Sequence, residues 1–316
     1  MKKNSKERIL LIVFALVFIA LSFLSPDKFL TVTNIRSMAF QLPEFGILTL
    51  AMMVPILTGG INLSLVTTAT LGGVVSATVM ASLYKQNWNE TLIIMIAVLT
   101  SMAASVLCGI INGYVVSYIG AAAMMATLGT STLFEGIGLY ISKGNSISGF
   151  PAAFYWIGNG TVCGVPVPMI VFGLVAGVTW LLLEKTAWGQ SVYMVGCNRK
   201  AASFSGLNVN RIMMKVYMYS GFLGSLAMLI MMSRYNSARV DYGSSYLMQA
   251  VAASVLGGTM ITGGYGKVGI AVAILQIISS GFNIFGLDRN LTTVINGVIL
   301  IGVLTLNFLN EYRKSR

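Results

Sequence analysis

Apolar segments long enough to cross a bilayer follow one another along this chain, separated mostly by short polar connections. A helix needs about 20 apolar residues to span the hydrocarbon core. The sequence gives ten candidates, at about 9–24, 43–58, 65–84, 91–118, 122–142, 166–183, 212–232, 244–258, 267–286 and 290–309. Inside lipid every backbone N–H and C=O must be paired within the segment, so such runs fold as helices. The chain is expected to be an all-α, polytopic membrane protein with about ten transmembrane helices. The segments 43–58 and 244–258 are short and run into glycine pairs, so both are expected to be broken or re-entrant. Charge supports the reading: only 9% of the 316 residues are charged, too few for a water-facing surface.

The longest polar interruption, Glu184–Lys215, carries Lys185, Arg199, Lys200, Arg211 and Lys215. Lys and Arg between spans stay on the cytoplasmic side. With the N-terminus inside, ten spans return the C-terminus inside. Thirteen of the 20 Lys and Arg then face the cytoplasm and seven face outward. The net charge of +11 therefore reads as topology determinants beside anionic lipid rather than a nucleic-acid surface. The basic start, Lys2 to Arg8, precedes the apolar run Ile9–Leu24 without a small-residue cleavage site, and reads as an uncleaved first span. Residues 1–316 are expected to form a single transmembrane domain with one cytoplasmic loop, about 184–215, that docks a partner.

Several chemistries are not expected. The chain has no histidine, which removes Ser-His and Cys-His catalysis, His-based zinc sites and histidine proton relays. Cys108, Cys163 and Cys197 have no metal or redox spacing. Gly264-Tyr-Gly266-Lys-Val-Gly269 matches a dinucleotide fingerprint only as a string, because an apolar span follows it. Gly266-Lys267 is followed by Val268, so it is not a Walker A motif. No catalytic or metal-ligating residue is assigned, and the chain is not expected to be an enzyme.

Within the loop, Asn198 can cap a short helix, Arg199–Ser205, that Gly206 terminates, with Ala201 and Phe204 on one face. A basic, capped helix with an apolar anchor suits either a surface helix lying on the lipid headgroups or a short helix pressed into a partner's groove. Gly59-Gly60 and the Gly257–Gly266 stretch each follow an apolar run; such glycines either let neighbouring helices pack closely or, as paired interruptions in the two halves, face a transport path near the middle of the protein. Glu135 is an ionisable group inside a candidate span, which is costly and calls for a role in the path, a pairing or an interfacial position near Lys143. The 143–165 connection is rich in Gly, Asn, Ser and Pro and is expected to be a turn-rich outer loop.

Four motifs in order resemble the permease subunits of bacterial ATP-binding-cassette importers of the ribose/monosaccharide type. They are Gly60-Ile61-Asn62-Leu63-Ser64, Ala126-Thr127-Leu128-Gly129-Thr130, Gly189 followed by Gly196–Leu207, and Gly257–Gly266. The resemblance implies that two permease chains, identical or not, form one pathway. It implies a cytoplasmic ATPase subunit holding ATP and Mg, so that this chain binds no cofactor, and a periplasmic or lipid-anchored binding protein that delivers the sugar. It places the chain in the bacterial inner membrane, coupled through Gly189, Gly196, Asn198, Arg199, Ala201, Ala202, Phe204 and Gly206. Asn62, Ser64, Glu135, Gly258, Thr259 and Asn283 are the corresponding pathway candidates. Two positions depart from the family pattern: Asn62 stands where Asp is usual, and Glu135 where Arg is usual before Gly136. A nucleoside or a furanose-like signalling molecule is the rival cargo. An ion-gradient-driven transporter is the rival class, with Glu135 as its one apparent coupling group.

Overall fold

The computed structural model describes residues 31–266. The spans read at 9–24, 267–286 and 290–309, and with them Asn283, lie outside the described residues. Helices α1 (Val32–Leu57), α2 (Leu65–Lys85), α3 (Glu90–Tyr114) and α4 (Ala123–Ser142) come first. They are followed by α5 (Ala152–Asn159), α6 (Val167–Lys185), α7 (Ala187–Cys197), α8 (Arg199–Phe204), α9 (Val209–Tyr235) and α10 (Tyr246–Leu256). Five stretches are long and apolar enough to cross a membrane: Arg36–Leu57, Leu65–Lys85, Glu90–Ile119, Val167–Lys185 and Val209–Tyr235. The chain is thus multi-pass within the described residues alone.

Two readings change and one holds. The segment read as 43–58 is not short: α1 starts at Val32 and continues through Pro43 and Pro55. Arg36, Gln41 and Glu44 interrupt the apolar run but not the helix. The outer connection 143–165 is more than turns. It contains α5, a paired turn between β2 (Thr161–Val162) and β3 (Val165–Pro166), and β1 (Ile147–Ser148). Strand β1 pairs antiparallel with β4 (Ser237–Ala238), Ile147 opposite Ala238, which ties this connection to the end of α9. Cys163 and Gly164 take φ of 50° and 81°, the mirror-image turn that joins two-residue hairpins. Finally, α10 is an 11-residue helix, too short to cross, as the glycine pair at Gly257-Gly258 suggested.

Helices α1 and α9 form the centre. The apolar window of α1 is 83% buried and that of α9 78%, against 22% for α6. Burial among helices, not hydrophobicity, sets this order, since lipid is as apolar as leucine. Small residues permit the contacts. On α3, Ala97, Ser101, Ser105, Gly109, Asn112 and Gly113 form one buried stripe. A Cβ on Gly109 would sit 3.0 Å from the Met218 Cα and one on Gly113 3.1 Å from the Met214 Cα, so α3 and α9 touch backbone to backbone. Ser105 Oγ donates to Thr68 O, fixing α3 against α2 at 3.2 Å. Buried Cys108 is a packing residue in this stripe.

Candidate functional site

Two places concentrate unusual chemistry, at opposite ends of α1 and α9. At one end lies the basic loop. Helix α7 starts at Thr186, whose side chain accepts from Gly189 N at 3.2 Å. A Cβ on Gly189 would strike the carbonyls of Leu182 and Leu183, so the α6–α7 corner requires glycine there. Asn198 ends α7 and caps α8, its Oδ1 accepting from Ala201 N at 3.0 Å. Gly206 stops the helix at φ 82°, in the left-handed region. Ala202 is buried inward while Ala201 and Phe204 point out together, and Phe204 is 92% exposed. Arg199 donates to Thr58 O at 3.4 Å, reaching back to the end of α1. Tyr193 OH donates to Gly266 O at 3.1 Å, and burial, with Glu184 and Tyr265 nearby, pushes its pKa up and keeps it a donor.

The two glycine breaks meet this loop. Gly264 N donates to Leu57 O at 2.8 Å. A Cβ on Gly196 would overlap both Leu57 O and Gly264 N, and one on Gly263 would lie 2.7 Å from Gly59 N. Of the two roles open to these breaks, the structure shows close packing: they lie on each other and on α7 beside the basic loop.

Asn62 and Ser64, just past the first break, are buried in a chain of polar bonds. Asn62 Nδ2 donates to Ser220 Oγ at 3.2 Å, and Ser220 Oγ donates to Ala51 O at 2.8 Å. Asn62 Oδ1 accepts from Ser64 N at 3.2 Å and Ser64 Oγ at 2.8 Å. Asn112 Nδ2 donates to Ser64 Oγ at 2.7 Å, and Thr130 Oγ1 donates to Asn112 Oδ1. The chain links α1, α9, α2, α3 and α4. An Asp at position 62 could not donate to Ser220, so the departure from the family pattern is matched by a local partner. Thr259 is buried and its Oγ1 has no partner among the described residues, while Gly258 is exposed at φ 94°. Glu135 lies on the exposed face of α4 and belongs to neither ion pair among the described residues.

At the other end is a feature the sequence reading missed. Glu44, fully buried on α1, pairs with Arg234 of α9 at 2.8 Å. Arg234 also donates to Phe40 O at 3.3 Å and lies 4.9 Å from the Tyr235 ring centroid. Glu135 is therefore not the one ionisable group within a span. The signal was present as a carboxylate directly after Pro43 in an apolar run; its partner, 190 residues away, was not readable.

The family model described as branched-chain amino acid transport system / permease component matches residues 34–304. Ribose import permease protein RbsC of Bacillus subtilis is 36% identical over 92% of this chain and 89% of its own length. Autoinducer 2 import system permease protein LsrD of Yersinia enterocolitica is 31% identical over 89% of this chain and 86% of its own. LsrD of Escherichia coli is 32% identical over 89% and 87%. No solved structure matches.

Proposed function

Because the chain belongs to the ribose/monosaccharide-type family of ATP-binding-cassette importer permeases, we propose that it forms half of the pathway for a ribose-like monosaccharide, driven by a separate ATPase. The observation that carries the coupling is α8. It is a capped helix with one residue turned inward and an aromatic anchor almost wholly in solvent, flanked by Arg199 and Lys200. An aromatic that exposed, on a capped helix with basic flanks, is free to serve as the anchor that a partner's groove takes up. A groove in a cytoplasmic ATPase subunit is the partner of the right kind: an apolar slot for Phe204 with acidic rims. ATP and Mg belong to that subunit, and this chain binds neither.

In this reading the chain crosses about ten times with both termini in the cytoplasm; the stretch that holds the short α10 counts as a crossing because it returns from the end of α9 to Leu57. That orientation puts α8 inside and the Glu44–Arg234 pair outside, where a binding protein delivers sugar to a pair of permease chains. Nucleotide state can move the pathway only by favouring one arrangement of that pair over the other. The similarity to LsrD supports a second cargo, a furanose-like signalling molecule, on the same machinery. Reconstitution with the ATPase and binding protein tests both. ATP-dependent uptake of labelled ribose, competed by ribose and not by the autoinducer, supports the first cargo; the reverse competition supports the second.

A further inference from the structure

Three chain segments far apart in sequence meet at the basic-loop end mostly backbone to backbone. Leu57–Gly60 closes α1, Gly196–Cys197 closes α7, and Gly263–Gly264 follows α10. The Gly264 N–H satisfies Leu57 O, one of the carbonyls that a helix end leaves unpaired. A Cβ on Gly263 would lie 3.0 Å from Gly196 O, and one on Gly264 2.9 Å from Cys197 N. Gly59, Gly263 and Gly264 take φ of 77°, 87° and 77°, conformations that other residues rarely adopt. The shape of the junction is thus written into glycine positions on all three segments. Arg199 to Thr58 O and Tyr193 to Gly266 O tie its flanks.

We propose that this glycine junction stays closed through the transport cycle and moves as one body, so that α7 and α8 carry the ends of α1 and α10 with them. The residues are positioning residues: they touch neither cargo nor nucleotide. The inference rests on the reading of α8 as the ATPase dock. Backbone packed on backbone has no rotamers to absorb a displacement, so a push on α8 arrives at Leu57 and Gly264 undiminished. Spare hydrogen-bonding capacity lies around the junction instead. Tyr217 OH would sit 3.0 Å from a Cβ on Gly60, and Thr259 Oγ1 2.8 Å from one on Gly266; both hydroxyls are buried and have no partner among the described residues. Partner exchange during movement therefore falls beside the junction and not within it.

The junction can be locked without touching its glycines. Cys197 Sγ lies 3.7 Å from Gly264 O, and Tyr265, the next residue, is exposed, so Tyr265→Cys is placed to crosslink to the native thiol on mild copper–phenanthroline oxidation. The test measures ATP hydrolysis and labelled-ribose uptake by the complete transporter in vesicles, oxidised and then reduced, with the crosslink mapped by mass spectrometry. Comparing two states of one folded protein removes the question of misfolding. Tyr265→Cys with Cys197→Ser, treated identically, controls for oxidation elsewhere. The expected result is efficient crosslinking with uptake per ATP within about twofold of the reduced state. Uptake that falls tenfold on oxidation and returns with reductant overturns the proposal, as does failure to crosslink. Absence of ATP-driven uptake by the wild-type transporter is a different failure: it removes the importer reading itself, and this inference with it.

Discussion

Asn62 shows how a single residue can be misjudged from its surroundings in sequence. A polar side chain beside a glycine break reads as a pathway residue, yet its amide is consumed by Ser64 and Ser220 and it is buried. Asn62→Ala leaves Ser64 and Ser220 short of partners in a dry interior. It is expected to cost about 1–3 kcal/mol, read by thermal unfolding in detergent, with the ranking of sugars in a competition panel unchanged. An altered ranking would return the residue to the path. The Glu44–Arg234 pair behaves differently because both groups are charged. Arg234→Ala strands a buried carboxylate and should cost about 3–5 kcal/mol, while Glu44→Gln combined with Arg234→Gln should recover much of that loss. Equal losses in the single and double variants would mean that the pair contributes through packing alone.

Among the elements, α3 and α4 make opposite use of glycine. On α3, a Cβ at Gly109 meets the Met218 Cα at 3.0 Å and the Tyr217 backbone, none of which can swing away. On α4, a Cβ at Gly129 or Gly136 meets nothing within 4 Å. Gly109→Ala is expected to separate α3 from α9 and lower the unfolding temperature by several degrees, at about 1–3 kcal/mol. Gly136→Ala should be neutral or stabilising by up to about 1 kcal/mol in the isolated chain, through helix propensity. A loss of function at position 136 without a loss of stability would assign that face to a neighbouring chain. The elements that were legible in sequence were the local ones. Asn198, Gly206 and the residues between them specify α8 within nine positions. The start of α1 was hidden because Arg36 and Glu44 look like span boundaries. Glu44 is tolerated only through Arg234, on a helix no local rule connects to it.

At the scale of the whole molecule, composition was enough to require a polytopic helical protein, and four motifs in order were enough for the family. What sequence could not supply was adjacency. Each glycine pair was visible, but that Gly59, Gly196 and Gly263 meet follows from how α1, α7 and α10 end at one level of the bundle. The account then depends on one claim, that α8 and its exposed Phe204 dock an ATPase. Truncating a central aromatic anchor typically costs about 2 kcal/mol or more of binding, roughly 30-fold in affinity. The direct measurement is gentle affinity purification of the wild-type chain and of Phe204→Ala from native membranes, with the co-purifying nucleotide-binding subunit quantified by mass spectrometry. The account predicts that this subunit travels with the wild-type chain and falls at least tenfold with Phe204→Ala, while the permease is recovered in equal amount. Recovery of the wild-type chain alone, in a detergent that preserves other transporter complexes, or undiminished recovery with Phe204→Ala, would contradict it.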